Sequence, residues 1–219
     1  MLDTDTIMML VEGTRDTLYM TLMSTLFGYV LGLPMGIILT VTDKDGIRPN
    51  AAVYKVLDVI VNILRSVPFL ILLILVMPFT KAIVGKTYGS TATIVPLVIA
   101  AAPFIARMVE SSLKEVDPGV IEAAVSMGAG TGIVIWKVML AEARTSLLVG
   151  VTIAIGTILG YSAMAGTVGG GGLGDIAIQY GYYRYETEIM IVTVVVLVVL
   201  VQILQSIGMM VSRKLDKRK

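Results

Sequence analysis

Long stretches without a charged side chain dominate this sequence and restrict it to membrane folds. The longest are Thr17 to Thr42, Thr145 to Gly174 and Ile189 to Ser212. Each can cross a hydrocarbon core of about 30 Å, which takes about 20 helical residues. With 56% hydrophobic residues among 219, a soluble domain has no interior large enough for so much apolar surface. The sequence therefore predicts an all-α integral membrane protein.

We expect one transmembrane domain, 1-219, with five spans joined by short connections and one long loop. The predicted spans are 17–41, 56–80, 87–107, 145–166 and 189–212, and the long loop is 108–144. The charge-free part of the second span, Ser66 to Thr80, is too short to cross alone. Arg65 therefore lies in or near the bilayer, where it either faces a functional path or snorkels to the headgroups.

The spans contain prolines, which break helices, and glycines, which allow close packing or flexibility. Five of the seven prolines, at positions 34, 68, 78, 96 and 103, fall within three spans. Helices broken at membrane depth indicate a transport pathway rather than a passive anchor. Gly28, Gly32 and Gly36 form a smooth stripe on one helix face, which we expect to pack within the chain. The glycine-rich segment from Gly160 to Gly174 predicts a flexible stretch at the outer end of the fourth span.

The positive charges predict the orientation of the chain. With Arg65 set aside, 12 Lys and Arg residues lie in the connector 43–55, at Arg107, in the long loop and in the basic tail after Ser212, against 4 on the other side. The positive-inside rule therefore predicts an outside N-terminus and a cytoplasmic C-terminus, which makes the long loop cytoplasmic.

Several classes of function are excluded by what the sequence lacks. There is no cysteine or histidine, which rules out disulfides, zinc-finger sites and a histidine general base. A net charge of +1 gives no electrostatic case for nucleic acid. The G-x-G-x-x-G at Gly169–Gly174 follows no strand, so it predicts no dinucleotide site. Without a P-loop motif, any ATP and Mg must be bound by another chain, and we expect no metal, cofactor or catalytic site here.

The long loop contains a short helix with clear ends. Asp117 is suited to the N-cap, Pro118 to the first helical position, and Gly128 to the left-handed residue after the helix. Small side chains at Ala123 and Ala124 would let another surface approach closely, and Glu122 places a charge beside them. On these grounds alone the helix either docks a partner or lies on the membrane surface.

The spacing of this loop resembles the EAA loop of binding-protein-dependent ABC importer permeases. Glu122-Ala123-Ala124 is followed after three residues by Gly128 and after nine more by Val138-Met139-Leu140. The family usually has Ile at position 138 and Pro after Leu140, where this chain has Ala141. The resemblance implies a coupling helix that docks in a groove of the ATPase. The residues implied in coupling are Glu122, Ala123, Ala124, Met127 and Gly128.

Three further stretches resemble the methionine importer permeases within that family: Asn62–Leu73, Ala102–Glu110 and Gly160–Gly166. This implies a type I ABC importer permease fold in the cell membrane, with a homodimer in contact with lipid and one path at its two-fold axis. Two cytoplasmic ATPase subunits, an external methionine-binding protein and alternating access are implied as well. The path or gate residues implied by family position are Tyr161, Ser162, Met164, Arg65, Ser66 and Pro68.

Two other functions remain open from the residues alone. A permease of the same fold could carry another amino acid or a quaternary amine, because no residue pattern selects methionine independently of the resemblance. An ion-driven secondary transporter would need carboxylates within the membrane, and the charge-free spans have none at their centres. A purely structural membrane scaffold leaves the five span prolines unexplained.

Overall fold

The computed structural model describes residues 3–215, and the regular structure of this range is helical throughout. The predicted basic tail beyond Leu215, with Lys217, Arg218 and Lys219, lies outside the described residues. The α-helices are α1 Thr4–Thr42, α2 Ala51–Ser66, α3 Phe69–Leu75, α4 Met77–Val84, α5 Ser90–Lys114, α6 Pro118–Ser126, α7 Thr131–Ile133, α8 Leu140–Glu142, α9 Arg144–Ala165, α10 Gly172–Ile176 and α11 Thr187–Leu215. Further helical turns are π-helical at Val134–Met139 and Ala177–Tyr183 and 3-10 at Gly166–Val168.

Four helices in the described range are long and apolar enough to cross a membrane: α1, α5, α9 and α11. The bent pair α2 and α3 adds a fifth span if both helices count as one crossing. The predicted all-α membrane fold is therefore confirmed. Helix α1 begins at Thr4, well before the predicted start at 17, because the Asp3 side chain caps it by accepting a hydrogen bond from the Thr6 N–H at 2.9 Å.

The second predicted span is not one helix over 56–80. Helices α2 and α3 meet at 103°, and the chain is extended at Val67 and Pro68, with ψ of 123° and 135°. Because a residue before proline avoids the α region, the break falls where Pro68 predicts it. Pro78 lies in the first turn of α4, where a missing N–H is tolerated. The result is a sharp corner rather than a kinked rod.

The glycine stripe of α1 packs against α5 within the chain, as predicted. A Cβ added at Gly32 would lie 2.7 Å from the Ala102 carbonyl oxygen, and one at Gly36 would lie 2.6 Å from that of Ala106. These contacts bring the two helix backbones together more closely than any side chain would allow. On α9, Gly156 faces the end of the Gln205 side chain on α11.

The glycine-rich segment after α9 is closely packed, so the prediction of a flexible stretch is wrong. A Cβ at Gly166 would lie 2.3 Å from the backbone N of Asp175. Gly172 has a φ of +75° and touches Thr17, whose hydroxyl accepts a hydrogen bond from the Leu173 N–H at 2.9 Å. The absence of side chains at these glycines permits tight backbone contact instead of disorder.

Candidate functional site

The short helix α6 begins as the sequence predicts. The Asp117 carboxylate accepts a hydrogen bond from the Gly119 N–H at 2.7 Å, and Pro118 occupies the first turn. This cap satisfies one of the N–H groups that have no partner inside the helix. The start of α6 is therefore fixed directly after α5, with only Glu115 to Asp117 between the two helices.

The end of α6 depends on the backbone of Gly128, which has a φ of +84°. The N–H groups of Met127, Gly128 and Ala129 donate to the carbonyls of the last turn of α6, at 2.9–3.1 Å. A Cβ added at Gly128 would meet nothing within 4 Å. Glycine is thus required here for its left-handed conformation and not for close packing within this chain.

Helix α6 has an inner and an outer face. Ala124 is 6% exposed and belongs to the same core cluster as Val134 and Met139. The methyl group of Ala124 therefore packs inward against this chain, and its predicted part in coupling stays a prediction. Glu122 and Ala123 are exposed and remain available on the outside.

The loop between the spanning helices α5 and α9 has an outer surface that is strongly apolar. Met127 is 82% exposed and Trp136 is 66% exposed. We call the whole surface the loop face; its exposed large apolar residues are Val120, Val125, Met127, Ile133 and Trp136. An apolar surface of this kind, next to the charge of Glu122, is suited to contact with a protein or with the membrane surface.

The second set of predicted residues lies around the corner between α2 and α3. Phe69 of α3 stacks on Tyr161 of α9, with ring centroids 4.6 Å apart and planes at 4°. This contact joins the corner to α9, and Met164, one turn further along, is 52% exposed. Phe69 was not among the predicted site residues, although its position directly after Pro68 could have indicated it.

Ser162 points away from this surface. It is 1% exposed, and its hydroxyl donates to the Leu159 carbonyl at 2.8 Å. Arg65, Ser66 and Pro68 are exposed at the corner, and the Ser66 hydroxyl donates to the Asn62 carbonyl at 2.8 Å. The structure therefore leaves Tyr161 and Met164 on α9 and the three corner residues accessible, while Ser162 supports the helix from inside.

An ion-pair cluster that the sequence did not predict lies near the C-terminal end of α5. Arg107 forms an ion pair with Asp58 of α2, donates to the Asn62 side-chain oxygen at 2.9 Å, and pairs with Glu110 at 2.6 Å. Lys114 pairs with Glu110 at 2.8 Å. The only sequence signal was one charge, Asp58, within the otherwise apolar middle of α2.

Lys114 also connects this cluster to the end of α1. Its Nζ lies 2.6 Å from the carboxylate of Asp43. This hydrogen-bonded ion pair holds the pKa of Asp43 below its usual value. Asp43 therefore stays ionised above its ordinary pKa of about 3.9, and the stabilisation from the pair is lost only in more acidic solution.

Asp175 of α10 is a carboxylate in an unfavourable position. Its Oδ1 is buried and has no hydrogen-bond partner within residues 3–215. Burial raises its pKa, although a hydrogen bond from Gln179 opposes the shift. Because the folded pKa exceeds the unfolded one, stability falls as the pH rises from the unfolded pKa through the folded pKa.

We therefore expect Asp175→Asn to stabilise the protein at pH 8, by on the order of 1 kcal/mol or less because solvent still reaches the carboxylate. The advantage should shrink as the pH falls towards about 4, where the wild-type carboxyl is protonated. Thermal unfolding of both purified proteins across this pH range measures the effect. Parallel pH dependences of the two proteins would contradict the assignment.

The fold and the loop define the class of protein. Residues 32–218 match the family model for the "Binding-protein-dependent transport system inner membrane component". This match covers most of the chain, and the chain belongs to this family. It is a membrane permease subunit of an ABC transporter and not an enzyme.

Two relatives indicate which group of permeases within this family the chain resembles. The chain is 53% identical to the "Probable D-methionine transport system permease protein MetI" of Vibrio cholerae, over 96% of this chain and 93% of the relative. It is 45% identical to the "Methionine import system permease protein MetP" of Bacillus subtilis, over 94% and 93%. The resemblance seen in the sequence is thereby confirmed.

A solved structure agrees with these relatives. The permease chain of the MetNI methionine ABC transporter, crystallised in inward-facing conformations, superimposes with a TM-score of 0.97 at 46% identity, over 99% of this chain and 100% of that one. An amino acid ABC transporter with a TM-score of 0.78 and 20% identity shares the fold alone. The chain thus has the type I importer permease fold.

Proposed function

We propose that this chain is the permease subunit of an ATP-driven importer that carries methionine into the cell. The observation that carries the proposal is the agreement with the MetNI permease over practically the whole chain, at a TM-score of 0.97 and 46% identity. The names of the relatives from Vibrio cholerae and Bacillus subtilis, for D-methionine transport and methionine import, support the same substrate.

The proposed assembly contains two copies of this chain and two ATPase subunits in the cell membrane. ATP and Mg are bound by the ATPase subunits, and a methionine-binding protein delivers substrate from outside. The family description names binding-protein-dependent transport, which supports this set of partners. The distribution of Lys and Arg supports an outside N-terminus and a cytoplasmic loop between α5 and α9.

Coupling to the ATPase would run through α6 and the loop face. Glu122, Ala123 and Met127 are exposed there, and Gly128 sets the direction in which the chain leaves α6. Ala124 anchors the inner side of α6 to the core. A movement of the ATPase against the exposed side is therefore transmitted to the spanning helices α5 and α9 instead of bending α6.

The substrate path would be lined at the corner between α2 and α3 and on α9. Tyr161 and Met164 offer an aromatic ring and a thioether, which suit the soft and flexible side chain of methionine. Arg65, Ser66 and Pro68 bring polar groups and freed backbone to the same region. Ser162 contributes indirectly, through its buried hydrogen bond to the Leu159 carbonyl.

Methionine uptake into vesicles tests the proposal directly. We expect uptake only when this chain, the ATPase, the binding protein and ATP are all present. Competition by other amino acids and by quaternary amines measures the substrate class. Uptake by this chain alone, driven by an ion gradient, would overturn the proposal. Uptake of another solute, without uptake of methionine, would overturn the assignment of methionine as the substrate.

A further inference from the structure

Helix α2 is attached to the rest of the chain differently from the spanning helices. Of its 16 residues, all of them described, only Val61 is buried. Val61 packs with Leu39 of α1 and Ala106 of α5 in a small cluster separate from the main core. Helix α2 therefore lies on the outside of this chain, and its apolar attachment is this one small cluster, to which its half-buried Tyr54 and Leu57 also belong.

Polar contacts supply the remaining attachment. Asp58 and Asn62, one turn apart on α2, both contact the guanidinium of Arg107 on α5. We call these three residues the clasp. The side chains of Arg107 and Asp58 are 20% and 28% exposed, so neither charge is fully enclosed by this chain. The clasp can open without leaving an ion in a dry interior.

Glu110 provides Arg107 with an ion-pair partner whether the clasp is closed or open. Its side chain is 6% exposed and lies between Arg107 at 2.6 Å and Lys114 at 2.8 Å. If α2 moves away, Arg107 still has Glu110 as its partner on the same helix. No buried charge is then left unpaired, which is the arrangement most costly to a protein.

The corner that follows α2 allows such a movement. Val67 and Pro68 are extended and join α2 to α3 at 103°. Helix α3 is anchored by the stack of Phe69 on Tyr161, so α2 can turn about the corner while α3 stays in place. Hinges of this type are a few residues at the ends of helices.

We propose that the clasp is a latch that closes in the inward-facing state and opens once in each transport cycle. The proposal rests on the proposed function. The assignment of the closed clasp to the inward-facing state is part of the proposal, and it is supported by the overall similarity of this chain to inward-facing structures, at a TM-score of 0.97. Asp58, Asn62 and Arg107 are then positioning residues, which act by holding α2 and not by touching substrate.

Reversible crosslinking of α2 to α5 tests the latch. The chain contains no cysteine, so Asp58→Cys combined with Arg107→Cys can be bridged by a short bis-methanethiosulfonate reagent and released by reduction. We expect the bridged transporter to take up methionine at least about tenfold more slowly than the same sample after reduction. Equal or faster uptake in the bridged sample would show a static brace and overturn the latch.

A matched pair controls for the effect of crosslinking itself. The hydroxyl oxygens of Ser112 on α5 and Ser146 on α9 lie 2.9 Å apart. The corresponding cysteine pair joins two helices that the latch does not separate, so bridging should leave uptake unchanged. If bridging stops uptake in this control as well as in the test pair, both losses result from general rigidity of the bridged protein. That outcome would contradict the latch.

Asp58→Asn provides a second test that does not depend on uptake. It keeps the shape of the side chain but removes the charge that attracts Arg107. We expect ATP hydrolysis without substrate to rise about threefold, because the closed resting state loses part of an ion pair. Unchanged or slower hydrolysis would contradict the latch. Wild-type uptake, measured in the same vesicles, tests the proposed function separately.

Discussion

Replacing Gly128 with valine is expected to reduce methionine uptake at least about tenfold while the transporter stays assembled and hydrolyses ATP. Gly128 has a φ of +84°, a conformation that costs a residue with a Cβ about 1–2 kcal/mol and a β-branched residue more. The backbone can avoid this cost only by redirecting the chain after α6. A displaced loop face would no longer meet the ATPase in its normal position, and a loss of about 1.4 kcal/mol in the coupling step is sufficient for a tenfold slower uptake.

Two further variants separate backbone conformation from side-chain size. Gly128→Asn introduces a side chain that tolerates the left-handed region, so it should retain most of the uptake. Gly130→Val adds the same side chain as the test variant at a residue with a φ of −68° and open space around its Cβ, so it should retain uptake too. Uptake and ATP hydrolysis are measured on the purified complex in vesicles. Normal uptake by Gly128→Val would refute the coupling role of α6.

The two ends of α6 could be predicted from sequence because they depend on local chemistry. An N-cap aspartate followed by proline, and a glycine after the last turn, specify helix ends through contacts within a few residues. The inward position of Ala124 could not be predicted in this way. It depends on packing against Val134 and Met139, which only the folded loop brings beneath the helix.

The corner at Pro68 shows how far a local rule reaches. Proline excludes the preceding residue from the helix and thereby predicts where the helix breaks. It does not predict the angle of 103°, because the direction of α3 is set by packing, including the stack of Phe69 on Tyr161. The sequence therefore predicts a break at Pro68 within the span 56–80, but not the direction in which α3 leaves that break.

Pairing across long sequence separations was the hardest feature to predict. Arg107 and Asp58 are 49 residues apart, and charges near span ends are usually explained by the headgroup region alone. The prediction that the glycine-rich segment after α9 is flexible was wrong for a related reason. Their composition indicates flexibility, yet the same lack of side chains lets Gly172 approach Thr17 closely, and only tertiary contact decides between the two outcomes.

The glycine stripe of α1 leads to the largest stability effect that we expect from a single added methyl group. Gly32→Ala should destabilise the permease by about 1–3 kcal/mol, the usual cost of overpacking. The new Cβ would lie 2.7 Å from the Ala102 carbonyl oxygen and 2.8 Å from the Cβ of Ile105. Neither atom belongs to the free end of a side chain, so α1 and α5 must move apart.

Gly156→Ala is the matched control, since it makes the same change in another spanning helix. Its Cβ would lie 2.8 Å from the amide nitrogen of Gln205, the far end of a flexible side chain that can turn away. Both substitutions gain up to about 1 kcal/mol from the higher helix propensity of alanine, so their difference isolates the contact between α1 and α5. Thermal unfolding of the purified complexes should place Gly32→Ala well below wild type and Gly156→Ala close to it. Equal melting temperatures for the two variants would mean that the backbones of α1 and α5 can separate at little cost, and the stripe would then not fix their distance.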